Sequence, residues 1–172
     1  MIKSSKIPEI DNLYRKKGVF MKYSGSLIAV KNMEVSKKFY TEVLHQNIAF
    51  DIGVHVSFED NLSLQENYAE LVGFDSAEMH TCSKNFELYF EEENFDSFLE
   101  DLKKFPDIKY LHNTKEYDWG QRVIRFYDPD MHIVEVAESM VSVVKRFLNQ
   151  GMSVEETAKR TMYPIEFVQG CL

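Results

Sequence analysis

The stretch that decides the fold is Arg125-Phe126-Tyr127-Asp128-Pro129-Asp130-Met131-His132-Ile133-Val134-Glu135-Val136, which has the pattern of two strands joined by a tight turn. Asp128-Pro129-Asp130 supplies the turn residues. If the second strand alternates between faces, Glu135 lies on one face of a sheet while Val134 and Val136 lie on the other. An unpaired buried carboxylate is costly, so we expect Glu135 either to reach water or to have a partner such as an arginine or a metal.

The order of elements around this hairpin occurs twice in the chain. The first half predicts a strand at 24–31, a helix at 33–44 and strands at 48–52, 54–58 and 62–65. The second half predicts a strand at 86–91, a helix at 95–104 and strands at 108–112, 122–127 and 132–136. Each half is therefore a βαβββ unit, and the two modules, 24–66 and 86–137, make up one domain over residues 23–138.

The segments on either side of this domain differ from it. Residues 1–22 are polar and contain Pro8 and Gly18, which indicates an N-terminal extension outside the core. Residues 139–172 predict a C-terminal helical segment, with a capping box at Ser153 to Glu156 and Pro164 in the first turn of the last helix. The last two helices have the order of a helix-turn-helix, but the second carries an acid and no Arg or Lys. We expect them to pack on the domain or on a sister subunit.

Composition narrows the class of protein. The chain has 172 residues, of which 44% are hydrophobic and 28% charged, as is typical of a globular protein. A net charge of -8 argues against nucleic-acid binding, and no apolar run is long enough to span a membrane. Two distant cysteines, Cys82 and Cys171, indicate free thiols rather than a disulfide framework. We expect a cytoplasmic protein with neither a nucleic-acid nor a membrane partner.

Two segments resemble a known superfamily. Residues 28–44, together with Phe126-Tyr127-Asp128-Pro129-Asp130 through Glu135-Val136, are similar to the vicinal oxygen chelate superfamily, which includes glyoxalase I, bleomycin resistance proteins and extradiol dioxygenases. The resemblance implies an α+β fold in which two βαβββ modules form a cup-shaped sheet. It also implies that a small-molecule ligand or a metal binds inside the cup.

The resemblance also implies positions for metal ligands, one on the first and one on the last strand of each module. In this sequence they fall on Gly25 and Gln65 in module one and on Glu87 and Glu135 in module two. Gly25 has no ligating side chain, so three oxygen ligands remain for a divalent metal such as Mn, Mg, Zn, Ni or Fe. The resemblance then implies a metal-dependent lyase or isomerase in which Glu135 is the catalytic base.

The residues leave an alternative open. Glu87 and Glu135 can instead form hydrogen bonds in the cup wall with Arg122, Arg125 or Trp119. This alternative favours a metal-free ligand-binding protein of the bleomycin-resistance type. Trp119, Arg122 and Arg125 are the candidate substrate-binding residues, suited to an aromatic or anionic small molecule. Trp119 can equally be a packed residue that closes the sheet edge. A third class is a regulatory protein that couples the cup to the helical tail, and in every case we expect a homodimer.

Two turns depart from the family pattern. His45 and Met131 stand where the family usually has glycine, so we expect backbone strain at both positions. His45 and His132 are then expected to be surface turn residues. His55 and His112 lie in or beside strands and are expected to be structural.

Overall fold

The computed structural model describes residues 22–172, so all of the predicted N-terminal extension except Lys22 lies outside the described residues. Both predicted βαβββ modules are present. Module one contains β1 (Ser26–Val30), α1 (Met33–Glu42), β2 (Ile48–Asp51), β3 (His55–Phe58) and β4 (Leu62–Glu66). A connector follows, with the short helix α2 (Tyr68–Val72) and a 3₁₀ turn (Ser76–Glu78). Module two contains β5 (Glu87–Glu92), α3 (Phe95–Leu102), β6 (Tyr110–Glu116), β7 (Arg122–Tyr127) and β8 (Ile133–Glu138).

The two sheets have the same topology. Their strand orders are β1-β4-β3-β2 and β5-β8-β7-β6, with the first pair of each sheet parallel and the other pairs antiparallel. The largest shift from the predicted bounds is in β6, which begins at Tyr110 because Ile108 belongs to the turn before it, where its N–H donates to the Phe105 carbonyl. The α+β class and the twofold βαβββ pattern are confirmed.

One face of each sheet packs against helices, and we call it the helix face. Val134 and Val136 are buried there, as the predicted alternation of β8 requires. The helix faces of both modules contribute to a single hydrophobic core, together with α1 and α3. The opposite face of each sheet, which we call the cup face, carries Gln65, Glu87 and Glu135.

The turn between β7 and β8 ties the modules together. Among residues 22–172, the side-chain hydrogen bonds between modules all end on Asp128 or Asp130. The Tyr40 hydroxyl donates to Asp128 Oδ2 at 2.9 Å, and the Lys31 N–H and the Ser36 hydroxyl donate to Asp130, each at 3.1 Å. Burial, and then the nearby Asp128 carboxylate, raise the pKa of Tyr40 well above its ordinary value, so the phenol remains a donor.

The strain expected at the two non-glycine turns is confirmed, since φ is +53° at His45 and +70° at Met131. His45 is exposed, as expected. The expectation for His132 is wrong, because its ring is half-buried and Nδ1 lies 2.8 Å from Asp128 Oδ2. The carboxylate that joins the modules therefore also binds this histidine.

Three helices, α4 (Met140–Asn149), α5 (Val154–Thr161) and α6 (Ile165–Gln169), form the C-terminal tail. The predicted capping box between Ser153 and Glu156 is present. Met140, Val143 and Phe147 of α4 pack against Trp119, while Val144 packs against α5 and α6. The tail therefore packs on module two of its own chain. No helix within residues 22–172 is long and apolar enough to cross a membrane.

Candidate functional site

Arg125 is the centre of the cup face of module two. It lies on β7 directly opposite Glu135 on β8, and Glu87 comes from β5 on the far side of β8. Arg125 Nε donates to Glu87 Oε2 at 2.8 Å and Nη2 donates to Glu87 Oε1 at 3.4 Å. Arg125 Nη2 also forms an ion pair with Glu135 Oε2. One guanidinium therefore bridges both predicted carboxylate ligands.

The remaining nitrogen of Arg125 is also occupied. Nη1 donates to the Tyr117 hydroxyl oxygen at 2.6 Å and lies 3.3 Å from His112 Nε2. A guanidinium has five N–H donors and no acceptor, and each of the three nitrogens of Arg125 has a partner on the cup face. Burial acts to lower the pKa of Arg125, but hydrogen bonds to Glu87 and Tyr117 outweigh it and raise that pKa. Arg125 is therefore a permanent cation, and hydrogen bonds or an ion pair fix all three of its nitrogens.

Glu135 depends on Arg125 for charge balance. Its side chain is 8% exposed, and Oε2 is buried without a hydrogen bond of regular geometry, so the ion pair with Arg125 is the compensation the structure provides. Glu87 is more open, with a side chain 39% exposed. Removing the guanidinium would therefore destabilise the protein mainly through Glu135, whose buried carboxylate would be left unpaired.

Module one places a neutral pair at the matching position. Gln65 Oε1 lies 2.9 Å from His55 Nδ1, and Gln65 Nε2 donates to the Glu66 carbonyl at 2.7 Å. His55 Nε2 continues to the Ser57 hydroxyl at 3.0 Å. Gln65 makes no polar contact with Glu87 or Glu135, so the structure does not bring the three predicted metal ligands together within the chain.

Position 25 has a physical reason to lack a ligand. Gly25 has φ +144°, and a Cβ built on it would lie 2.0 Å from the carbonyl oxygen of Asn61. A ligating side chain there would require the backbone to move. Across residues 22–172, no group of three or more His, Cys, Asp and Glu side chains is arranged to hold a metal ion.

The three candidate substrate-binding residues do not share one face. Arg122 lies on the helix face, where Nε donates to Glu138 Oε2 at 3.0 Å and Nη1 donates to Asp96 Oδ1 at 2.7 Å. Trp119 stacks on Tyr117 and packs against α4, which agrees with the packed alternative. Only Arg125 reaches the cup face.

A pocket of about 470 Å³ lies between the modules, beside β5 and the start of β1. Three acids and four aromatic residues contribute to its lining: Asp60, Glu87, Glu91, Tyr23, Phe86, Tyr89 and Phe90. No Lys, Arg or His of the described chain lines it. The Tyr89 hydroxyl donates to Glu91 at 2.7 Å, and burial together with Glu91 raises the pKa of Tyr89 to about 12. We call this the inter-module pocket.

The sequence spacing indicates the two cross-strand pairs on the cup face, His55 with Gln65 and Arg125 with Glu135. His55 precedes Gln65 by 10 residues, and Arg125 precedes Glu135 by the same interval. In each module this interval spans the β3–β4 or β7–β8 hairpin and places the two side chains directly opposite each other. Tyr117 and His112 have no comparable signal, because they reach Arg125 through β6 and the loop after it.

Solved structures show the same fold. A protein of unknown function from Agrobacterium tumefaciens str. C58 is 32% identical, with a TM-score of 0.62 over 74% of this chain and 99% of that chain. A lactoylglutathione lyase from Agrobacterium tumefaciens is 17% identical, with a TM-score of 0.53 over 69% and 93% of the two chains. A glyoxalase/bleomycin resistance protein/dioxygenase family enzyme from Burkholderia phytofirmans PsJN is 11% identical, with a TM-score of 0.58 over 67% and 96%.

No curated protein matches the sequence. The model of the glyoxalase-like domain family matches residues 23–141, which include both βαβββ modules. The two sheets, their topology and the solved structures above agree with that match. The chain therefore belongs to the glyoxalase-like domain family, within the vicinal oxygen chelate superfamily.

Proposed function

We propose that this protein binds a small organic molecule at its cup face without a metal ion, as a ligand-binding member of its family. The single observation that carries the proposal is Arg125. Its guanidinium lies between Glu87 and Glu135, the two carboxylates at metal-ligand positions, and supplies the positive charge that a metal would otherwise supply. The buried carboxylate of Glu135 therefore has a cation partner within the chain.

The residues present do not fit the metal centre of the lyases and isomerases in this superfamily. Gly25 offers no donor, and Gln65 is bound to His55 and the backbone. A divalent cation at Glu87 and Glu135 would have to displace a guanidinium whose nitrogens are all hydrogen-bonded or ion-paired. We therefore derive no catalytic step through a metal, and Glu135 is held by Arg125 rather than free to act as a base.

The lining of the inter-module pocket favours a positively charged organic ligand. Aromatic faces attract organic cations, and carboxylates pair with them. Glu91 is held towards Tyr89, while Glu87 is already paired with Arg125. Asp60 and Glu91 therefore supply the negative charge that a bound amine or quaternary ammonium group would meet, with Phe86 and Tyr89 as apolar contacts.

A second copy of the chain is the proposed partner. Leu27 and Phe50 lie on the cup face of module one and are 42% and 53% exposed. Exposed apolar side chains on one sheet face are typical of an interface, and a homodimer would cover them. Sedimentation equilibrium on the wild type and on Phe50→Glu tests this: a dimer that dissociates in the variant is expected, and a wild-type monomer would contradict it.

Calorimetric titration with benzyltrimethylammonium chloride tests the binding proposal. We expect saturable binding that weakens on Glu91→Gln, by roughly tenfold for the loss of one charge-assisted contact. Glu93→Gln is the matched control, because Glu93 follows the same strand but lies outside the inter-module pocket. Titration with MnCl₂ is the parallel arm: stoichiometric Mn²⁺ binding that is lost in Glu135→Gln would overturn the proposal and support the metal-dependent lyase or isomerase.

A further inference from the structure

The C-terminal tail packs against the loop that follows β6 and hydrogen-bonds to it. Phe147 of α4 lies so close to Gly120 that a Cβ there would come within 2.3 Å of the ring. Arg146 Nη2 donates to the Gly120 carbonyl, and the same guanidinium pairs with Glu138 and Glu116. The loop is therefore held by close packing and by a hydrogen bond from one helix.

Two aromatic residues of the loop connect α4 to the cup face. Trp119, the chain's one tryptophan, packs against Val143 and Phe147 and stacks on Tyr117, with ring centroids 4.7 Å apart and planes 13° apart. The Tyr117 hydroxyl oxygen then accepts the 2.6 Å hydrogen bond from Arg125 Nη1. A continuous series of contacts thus runs from α4 through two stacked rings to the guanidinium between Glu87 and Glu135.

A second branch leaves the same loop. Gln121 Oε1 accepts from the Trp119 indole N–H at 2.9 Å, and Gln121 Nε2 donates to the Tyr89 hydroxyl at 3.2 Å. Gln121 is buried, so its side chain is fixed by these partners and by the Glu138 carbonyl. The loop therefore contacts both Arg125 and an aromatic residue of the inter-module pocket.

We infer that the C-terminal helices set the position of the cup-face cation, with Tyr117 as the positioning residue for Arg125 and Trp119 as the link to α4. The inference rests on the proposed function, since it assigns the tail a role at the same site. The family match ends at residue 141, near the start of α4, so this role belongs to a segment added to the family domain. Loosening the tail should release Arg125 without removing it.

The reactivity of Arg125 towards phenylglyoxal, followed by peptide mass spectrometry, tests this directly. Tyr117→Phe removes only the hydroxyl, and we expect Arg125 to react about tenfold faster, as the loss of one hydrogen bond to a charged group implies. Tyr110→Phe is the matched control, because Tyr110 begins β6, the strand that Tyr117 follows, and its hydroxyl has no hydrogen bond to a side chain of the described chain. Arg160, which is 45% exposed, is the reference within each sample.

Phe147→Leu tests the tail end of the series, and we expect the variant to fold because the side chain stays apolar. Faster labelling of Arg125 is expected in this variant too. Unchanged labelling of Arg125 in Tyr117→Phe, or faster labelling of Arg125 and Arg160 alike in that variant, would overturn the inference. The result is independent of metal titration: Mn²⁺ binding by the wild type would defeat the metal-free proposal while leaving the positioning of Arg125 to be judged by the labelling alone.

Discussion

The two modules share a topology and a register but differ in the chemistry of one cross-strand pair. In module one the pair is His55 and Gln65, which is neutral and continues into serine hydroxyls. In module two the pair is Arg125 and Glu135, and it also draws in Glu87. The fold thus places a side chain at the same point of each sheet, whereas the residue across the strand decides whether that side chain has a neutral or a charged partner.

The modules also differ in the segment that comes after their last strand. Module one continues into the short helix α2 and the connector, whereas β8 continues into the three-helix tail. The loop before β7 is held by that tail, and module one has no counterpart of it in the described chain. The charged pair therefore lies in the module that has additional support from outside its sheet.

Arg125→Met should have the largest effect. It leaves Glu135 buried and uncompensated, and breaking a buried ion pair lowers the free energy of unfolding by about 3–5 kcal/mol. Urea denaturation measures this loss. His55→Leu is the control at the matching position of module one, where loss of neutral hydrogen bonds should cost about 1 kcal/mol.

The double variant Arg125→Met/Glu135→Met sharpens this test. Replacing both ends of a buried pair by apolar groups is often close to neutral, so much of the lost stability should return. Equal losses from Arg125→Met and His55→Leu, with no recovery in the double variant, would show that the two cup faces do not differ in this way.

Gly120→Ala should have the next largest effect. It should lower the free energy of unfolding by about 2–4 kcal/mol, because the positive φ and the overpacking both destabilise the variant. The new Cβ would meet the Phe147 ring at 2.3 Å. Gly53 of module one has nearly the same φ, +84° against +86°, but open space around its Cβ. Gly53→Ala should therefore lower the free energy of unfolding by only about 1–2 kcal/mol. Thermal unfolding of both variants compares the loop at Gly120, which packs against α4, with the loop at Gly53, which does not.

Gln65→Glu would give module one a carboxylate like that of module two. The new carboxylate would lie opposite His55, where module two has an arginine, so it should lower the free energy of unfolding by about 1–3 kcal/mol. Urea denaturation of the variant and the wild type measures this loss. Unchanged stability would contradict the view that a buried carboxylate on a cup face needs an arginine across the strand.

The smallest effect is expected at the β7–β8 turn. Burial acts to lower the pKa of His132, but Asp128 outweighs it and the pKa is raised above 6.5. Its contribution to stability is therefore fully present below 6.5 and is lost as the pH rises through the pKa of the folded protein. The difference in the free energy of unfolding between the wild type and His132→Asn should fall over that range. The measurements stay above pH 4.5 so that Glu138 remains ionised. Burial acts to raise the pKa of Glu138, but Arg122 and Arg146 outweigh it and lower that pKa.

Much of the fold could be predicted because alternation and turn residues are local signals. The Asp128-Pro129-Asp130 turn and the apolar face of β8 follow from neighbouring residues, and the spacing of Arg125 and Glu135 marks a cross-strand pair. The contact of Arg125 with Glu87 could not be predicted in this way, because it depends on β5 lying beside β8, which periodicity does not determine. The positions of Tyr117 and Trp119 depend on a loop and on packing by a distant helix.

The metal content of protein purified without chelator is the most direct test of the central claim that Arg125 occupies the place of a metal. Elemental analysis of the wild type and of Glu87→Ala should find no stoichiometric Mn, Mg, Zn, Ni or Fe in either protein. Near-stoichiometric metal in the wild type that disappears in Glu87→Ala would contradict the account and show that the carboxylates bind a metal rather than the guanidinium.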